Sequence, residues 1–195
     1  MISTLSRKHS FDAVYDSQKI FRLLLEAMAN PTRVVNIKEF SDKLYGNLSE
    51  FLALAMTVLD NEVSFNTCEN QSLTDEIASL TLAKREKIEA ADFVFLCEPY
   101  EIGNVIEKAK CGSLSDPHKS ATVIILNDGA PASRLTLYGP GINGSVTAQI
   151  TQTVKDTIFL RDAQNYEYPQ GIDLIFVSSS GELFAIPRLT RMELE

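Results

Sequence analysis

The fold is decided by two apolar runs, DFVFLC at residues 92–97 and ATVIIL at residues 121–126. Each run is apolar over the full length of a strand, whereas a strand with one face in water alternates apolar with polar residues. Continuous apolarity therefore predicts two central strands that are covered on both faces. Helices have to lie on both sides of such strands, so the pattern indicates a three-layer α/β sandwich.

A helix is expected before this centre, over residues 17–29. Asp16 or Ser17 can cap its start, and Pro31 ends it because the residue before a proline avoids helical geometry. Four apolar side chains recur at spacings of three and four residues and are expected to form its inward face: Phe21, Leu24, Leu25 and Met28.

The remaining elements alternate along the chain. Further helices are expected over residues 47–59, from Ser72 or Thr74 towards Lys84, over 102–110 with Gly112 just beyond its end, and over 151–163 with Val154, Ile158 and Phe159 inward. Strands are expected over residues 33–37, 63–66, 134–138, 146–150, 172–177 and 183–186. The strand at 134–138 is expected to return beside 121–126 as an antiparallel hairpin, which makes the sheet mixed. No repeat or linker divides residues 1–195, so we expect a single domain.

Charge and hydropathy argue against several classes of partner. The chain has 26 acidic and 18 basic residues and a formal net charge of -8, which repels the nucleic-acid backbone. Its densest basic run, at residues 84–87, is interleaved with glutamates and is typical of a solvated helix face. No stretch approaches the roughly 20 apolar residues that span a bilayer, and no signal-peptide pattern occurs. We therefore expect a cytoplasmic protein that binds neither nucleic acid nor membranes.

Motifs for the common catalytic chemistries are absent. The sequence has no glycine-rich dinucleotide loop, no Walker phosphate loop and no GxSxG serine. Its two histidines, His9 and His118, have no second metal ligand at a useful spacing. The three cysteines are odd in number and far apart, and Cys97 follows an apolar run as a buried reduced thiol would. The sequence therefore predicts neither a metal site nor a nucleophile paired with a base.

Three segments nevertheless put charged or glycine-rich features beside the predicted core: FRLLLEAMANP at residues 21–31, LYGPGI at 137–142, and two strands between Pro169 and Arg188. In the first segment, Arg22 points away from the apolar stripe, which favours a surface or interface role over catalysis. In the second, the backbone N–H groups around Gly139 and Gly141 can approach a phosphate. A plain turn after a strand is the commoner use of such glycines and prolines.

The third segment reads as a hairpin with a tight turn at residues 179–180. That turn places Asp173 opposite Ile186, and Arg188 becomes the diagonal neighbour of Asp173 on the same face. Arg188 can then be an anion-binding group that Asp173 orients, or the two can form a structural ion pair that closes the hairpin end. We favour the ion pair.

Together the three segments resemble the H-subunit (PhnH) family of the bacterial carbon–phosphorus lyase system. The family patterns F-R-x-L-L-x-A-M-x-x-P-G, L-x-G-P-G-I and P-x-G-I-D-L-I…A-I-P-R are matched in order at residues 21–32, 137–142 and 169–188. The passage at residues 112–125 also resembles the family, so the likeness covers nearly the full chain. Thr32 replaces a usual glycine, and Leu189 replaces a usual threonine, which weakens the case for hydroxyl ligands beside Arg188.

The resemblance implies a role in phosphonate catabolism. The family works with the G, I and L subunits in making ribose-1-methylphosphonate 5-triphosphate from a nucleoside triphosphate and methylphosphonate. It implies the G, I and J subunits of the core complex as partners, and a homodimer when the chain is isolated. It also implies a fold similar to the large domain of pyridoxal-phosphate transferases, without the cofactor or its Schiff-base lysine.

Three hypotheses for function follow. The leading one is a subunit that helps to build or stabilise the enzyme complex without a full active site of its own. The second is a catalytic or phosphate-binding transferase subunit in which Arg22, Asp173 and Arg188 contact substrate phosphates. The third, a stand-alone pyridoxal-phosphate enzyme, rests on fold analogy alone. The missing nucleophile–base pair favours the first hypothesis.

Overall fold

A computed structural model describes residues 9–46, 48–98 and 101–192. The helices are α1 (Tyr15–Ala29), α2 (Lys38–Ser41), α3 (Ser49–Val58), α4 (Gln71–Thr81), α5 (Ile102–Lys108) and α6 (Gln152–Asp162). The strands are β1 (Val35–Asn36), β2 (Ser64–Asn66), β3 (Lys84–Arg85), β4 (Phe93–Leu96), β5 (Thr122–Leu126), β6 (Ser133–Tyr138), β7 (Ser145–Ile150), β8 (Asp173–Val177), β9 (Glu182–Ile186) and β10 (Arg191–Met192). Asn47, the predicted start of the second helix, lies outside the described residues. Within those residues, no helix has the length and apolarity that crossing a bilayer requires.

The main sheet has seven strands in the order β1-β9-β8-β5-β4-β2-β3. The two apolar runs quoted above are its neighbouring central strands β4 and β5, which pair in parallel with Val94 opposite Val123. Strands β8, β5, β4, β2 and β3 are parallel, whereas β9 runs antiparallel to β8 and to β1. The predicted α/β class with a mixed sheet is therefore confirmed.

Helices cover both faces of this sheet. On one face, side chains from α1 to α4 pack against alternate sheet residues such as Phe95 and Ile124. On the other face, α5 and α6 pack against the residues between them, such as Val94 and Val123. Successive side chains of a strand point to opposite faces, so both sets need apolar residues. This explains why the two runs are continuously apolar.

The predicted hairpin between residues 121–126 and 134–138 is wrong. Both edges of β5 are occupied by parallel neighbours, β4 and β8, so no edge remains for a returning strand. Instead β6 pairs antiparallel with β7 and with β10 in a separate three-stranded sheet of order β10-β6-β7. Leu135 and Leu137 of β6 join the core of the second face, where they meet α6.

Helix α1 exists as predicted, but its inward face and its cap differ. Of the four predicted inward residues, Leu24 is buried and Met28 packs partly against the core, whereas Phe21 and Leu25 are exposed. Ile20 and Ala27 complete the buried apolar face. The sequence carries two apolar stripes of the same helical period, and periodicity alone does not say which one the sheet covers. The cap comes from Asp12, whose Oδ1 accepts hydrogen bonds from the N–H groups of residues 14 and 15 at 2.9 Å each.

Three smaller expectations are also corrected. Helix α4 ends at Thr81 because Leu82 adopts a left-handed conformation with φ 59°, and Lys84 lies in edge strand β3 rather than on a helix. Helix α5 ends at Lys108, so Gly112 is too distant to terminate it. On α6, Val154 and Ile158 face inward as expected, but the predicted inward residue Phe159 is exposed.

Candidate functional site

The three segments that carry the resemblance meet in space around the turn between β9 and β10. A Cβ atom on Gly139 would lie 2.8 Å from the carbonyl oxygen of Leu189. A Cβ atom on Gly141 would lie 2.7 Å from the carbonyl oxygen of Ala29, at the end of α1. Real Cβ contacts are never this short, so only glycine permits both approaches. The glycine-rich loop therefore joins the end of α1 to the chain that follows β9.

This loop is a turn that packs against protein. The N–H of Ile142 donates to the carbonyl oxygen of Gly139 at 3.1 Å, which closes the turn. The sides of Gly139 and Gly141 where a Cβ would stand face backbone from two other segments rather than an open cradle. The geometry supports the turn interpretation over the phosphate loop that these glycines also suggested.

Asp173 and Arg188 are in direct contact. Arg188 donates its backbone N–H to Asp173 Oδ1 at 2.7 Å, and its Nη2 lies 2.9 Å from Asp173 Oδ2. Arg188 Nη1 also donates to the carbonyl oxygen of Pro117. Asp173 is buried, and Arg188 is largely shielded from water. The guanidinium is thus held by protein acceptors on two sides.

The predicted register of this hairpin is wrong by one residue, although the predicted proximity is confirmed. Leu174, not Asp173, lies opposite Ile186. The loop contains three residues, 179–181, because the N–H of Ser178 bonds the carbonyl oxygen of Glu182 and Gly181 supplies a positive φ of 79°. A two-residue turn at 179–180 does not account for this glycine. The slip moves Arg188 close enough for its own N–H to bond Asp173.

Sequence reasoning missed the most buried charge in this region, Arg161 on α6. Its side chain has 0% exposure, and all three guanidinium nitrogens are engaged. Nε and Nη2 contact Asp162 Oδ1 at 3.0 Å and 2.9 Å, and Nη1 donates to the carbonyl oxygens of Ile186 and Pro187 at 3.4 Å and 3.2 Å. Nη2 also donates to the carbonyl oxygen of Thr190. Burial lowers the pKa of Arg161 while the charge of Asp162 opposes that shift, and an arginine stays protonated in proteins.

A second arginine completes this arrangement. Arg191 Nη1 lies 3.6 Å from Asp162 Oδ1 and also donates to the carbonyl oxygen of Arg188. We call Arg161, Asp162, Asp173, Arg188 and Arg191 the arginine cluster. Its cations are directed at carboxylates and at backbone carbonyls of the turn after β9, which fixes that turn in place. Arg161 could have been noticed in the sequence, because it continues the inward spacing of Val154 and Ile158.

Arg22 does not belong to this cluster. It lies exposed on α1, and its side chain makes no hydrogen bond or ion pair with any residue that the structure describes. The structure therefore unites Asp173 and Arg188, brings Gly139 next to the turn that follows them, and brings Gly141 next to α1. It does not bring Arg22 into the same contact set.

A separate cleft lies where β2 and β4 end. These parallel neighbours are followed by helices on opposite faces of the sheet, since α4 packs in one core and α5 in the other. Ligands of open α/β sheets bind at such a point. A cavity of about 260 Å³ there is lined by Thr67, Cys68, Glu69, Asn70, Cys97, Glu98 and Glu101. A neighbouring cavity of about 470 Å³ shares three of those residues and adds Glu76.

The cleft is acidic and its thiols are unreactive. Burial, with the charge of Glu101, raises the pKa of Cys68 to about 12. Burial raises the pKa of Cys97 to about 11, although Asn70 donates to its sulfur at 3.6 Å. Both therefore remain thiols at neutral pH, and thiols are poor nucleophiles and metal ligands. No basic side chain is among the described lining residues, so the cleft does not suit a phosphate or phosphonate.

Metal ligands are not assembled elsewhere in the described part of the chain. No group of three histidine, cysteine or acidic side chains is arranged to hold a metal ion in residues 9–46, 48–98 and 101–192. His9 accepts a hydrogen bond from the N–H of Tyr45 at 3.0 Å, which gives it a local structural role. His118 is exposed, and its Nε2 lies 4.0 Å from Asp116.

Comparison with known proteins agrees with the resemblance that the three segments carry. A curated protein from Stutzerimonas stutzeri, described as "Putative C-P lyase subunit protein HtxG", is 29% identical over 181 residues, which cover 91% of this chain and 86% of that protein. The model of the family described as "Bacterial phosphonate metabolism protein (PhnH)" matches residues 9–193, which include all three segments and the arginine cluster. The chain therefore belongs to the PhnH family of bacterial phosphonate metabolism proteins.

Proposed function

We propose that this chain is a subunit of a carbon–phosphorus lyase complex and that it supports the assembly rather than supplying its own active site. The arginine cluster is the observation that supports an assembly role over an active site of its own. Arg188, the best candidate for an anion ligand, is already paired with Asp173 and with the carbonyl oxygen of Pro117. Arg161 is fully committed to a carboxylate and to backbone carbonyls. These guanidinium groups hold the turn after β9 in place, so few of their N–H groups remain free to bind a substrate.

A catalytic or phosphate-binding subunit is the second candidate. It requires Arg22, Asp173 and Arg188 to approach one substrate, and only the last two are in contact. The cleft where β2 and β4 end is acidic, which opposes binding of an anionic nucleotide or phosphonate. A stand-alone pyridoxal-phosphate enzyme has less support still, because it rests on fold analogy.

The seven-stranded mixed sheet with helices on both faces supports the fold likeness to the large domain of those transferases.

The finer assignments follow from the family. We propose the G, I and J subunits as partners, a homodimer for the isolated chain, and a cytoplasmic location. The reaction to which the complex contributes is then the synthesis of ribose-1-methylphosphonate 5-triphosphate, together with the G, I and L subunits. The printed description of the relative from Stutzerimonas stutzeri as a putative lyase subunit supports membership of such a complex.

Co-expression with the G, I and J subunits, followed by size-exclusion chromatography, tests the assembly role. We expect this chain to elute with the other three. Elution alone, at micromolar concentration and low salt, would contradict the proposal. Calorimetric titration of the isolated chain with a nucleoside triphosphate and with methylphosphonate tests the second candidate. Saturable binding that Arg188→Met abolishes would favour the catalytic or phosphate-binding role.

A further inference from the structure

Helix α1 carries a second row of largely apolar side chains beside the stripe that packs on the sheet. It consists of Val14 just before the helix, Phe21, Leu25 and Met28, with the polar Gln18 among them, and the five are spaced by four, three, four and three residues. We call these five residues the α1 seam. Side chains at alternating spacings of three and four residues form a narrow line along a helix, which is the pattern that packs against one other helix.

The fold itself leaves most of the α1 seam uncovered. Helix α1 buries Ile20, Leu24 and Ala27 along a different stripe, and Met28 at the end of the seam packs partly against the same core. The seam is open by contrast: the exposed fraction is 70% for Val14, 46% for Phe21 and 52% for Leu25. Single exposed apolar residues are ordinary, but a row of them along one helix marks an interaction surface.

The charge beside the seam is positive in a chain whose formal net charge is -8. Arg22 flanks Phe21 and Leu25 and has no ion pair among the described residues. The nearby acid, Glu26, is already neutralised by Arg33, with Nη2 to Oε1 at 2.6 Å. A cation that is left free beside apolar side chains complements a carboxylate on an apolar partner surface.

We propose that the α1 seam docks an amphipathic helix of a partner subunit, whose apolar side covers Phe21 and Leu25 and whose flank presents a carboxylate to Arg22. This inference rests on the proposed role in a complex and names the surface that would serve it. Laying one helix against another along such a line is a recurrent mode of protein recognition. Contact with this partner helix would explain why Arg22 is exposed and unpaired. It would also explain why other residues of FRLLLEAMANP are exposed.

The test uses the full chain in the co-expressed complex with the G, I and J subunits. Phe21→Glu combined with Leu25→Glu should remove the chain from the complex, because two charges would have to be buried in the contact. Phe159→Glu is the matched control, since Phe159 is 55% exposed on a helix of the opposite face. It should co-elute like the wild-type chain. Circular dichroism and the thermal midpoint of each isolated variant should match the wild type, because all three substituted positions are open to water.

Arg22 gives a second, independent measurement. Arg22→Glu should weaken the affinity of the chain for its partners by about tenfold or more at low salt, whereas Arg22→Lys should retain most of it. Rising salt should weaken the wild-type contact, whereas it should strengthen that of Arg22→Glu, because salt screens the repulsion between the two carboxylates. Equal affinities for Arg22→Glu and the wild type would contradict the predicted carboxylate partner.

The outcomes separate the two proposals. If the wild-type chain does not co-elute with the subunits, the proposed function itself fails. If the wild type and the Phe21→Glu, Leu25→Glu variant both co-elute, the assembly role stands and the α1 seam proposal is overturned. If that variant changes the oligomeric state of the isolated chain and still joins the complex, the seam joins two copies of this chain, which also overturns the proposal.

Discussion

Asp173 binds Arg188 through both of its carboxylate oxygens, one to the backbone N–H at 2.7 Å and the other to the guanidinium at 2.9 Å. The contact joins the start of β8 to the residue two positions beyond β9, and Arg188 in turn reaches Pro117. The end of the hairpin is therefore fixed by one side chain rather than by further strand pairing.

The first prediction follows from that contact. Asp173→Ala should lower the free energy of unfolding by roughly 1–3 kcal/mol, because it leaves the shielded guanidinium of Arg188 and a backbone N–H without their acceptor. Urea unfolding followed by circular dichroism measures the loss. Asp75→Ala is the control, since its 2.7 Å pair with Arg85 is exposed on both sides. Such exposed pairs contribute under about 1 kcal/mol, so equal losses in the two variants would contradict the prediction.

Arg161 should matter more than any other charge in this region. Arg161→Met should lower the free energy of unfolding by about 3 kcal/mol or more, because the carbonyl groups of residues 186, 187 and 190 lose the hydrogen bonds from the guanidinium and Asp162 loses its main partner. Arg22→Met is the matched control on another helix, and it should change stability by less than about 0.5 kcal/mol. If Arg161→Met unfolds at the same urea concentration as Arg22→Met, the cluster does not fix the turn.

In the glycine-rich loop, the cost of overpacking can be separated from the cost of backbone strain. Gly141 and Gly144 have similar positive φ values of 83° and 76°. An added Cβ would press on Ala29 and Pro31 at Gly141 but would meet nothing within 4 Å at Gly144. Gly144→Ala should therefore cost about 1 kcal/mol of unfolding free energy from strain alone. Gly141→Ala should cost roughly 1–3 kcal/mol more from overpacking. Thermal unfolding of both variants measures the difference, and equal midpoints would show that the approach of the loop to α1 is not tight.

The centre of the fold could be predicted from the sequence, because a strand that is covered on both faces has to be apolar at every position. Residues 92–97 and 121–126 meet that requirement, and they are the neighbouring strands β4 and β5. The inward face of α1 could be predicted only in part, with Leu24 correct and Phe21 and Leu25 wrong, since its two apolar stripes have the same period and only the sheet decides between them.

The candidate site was predictable in part. Asp173 and Arg188 could be brought together because they lie on two strands of one hairpin, even though the loop length that fixes the register was misjudged. Arg161 could not be assigned a role, because the carbonyl groups that satisfy it come from residues 25 to 29 positions later in the chain. An arginine on an apolar helix face is a visible signal, but its acceptors depend on tertiary packing.

Acid should destabilise the protein through Asp16 and Asp92. Burial alone would raise the pKa of Asp16, but hydrogen bonds from Lys43 and from the N–H of Asp12, with the charge of Lys43, bring it below its ordinary value of 3.8. Burial would likewise raise the pKa of Asp92, and the contacts with Lys110 and Ser64 lower it. A carboxyl group whose pKa is lower in the folded state binds a proton more readily when unfolded, so it contributes stability above pH 3.8. That contribution is lost as the pH falls below 3.8 and through the folded-state pKa.

The free energy of unfolding of the wild type should therefore decline between about pH 4 and pH 2, which urea titrations at a series of pH values measure. Asp16→Asn should reduce the steepness of that decline, because the amide does not titrate. Lys43→Met should reduce it as well, because it removes the 2.7 Å pair that lowers the pKa of Asp16. The effect of Asp92→Asn should be independent of the effects of Asp16→Asn and Lys43→Met. Asp92 lies directly before β4 and pairs with Lys110, not with Lys43. Stability curves of the three variants that run parallel to the wild-type curve would show that other carboxyl groups control acid unfolding.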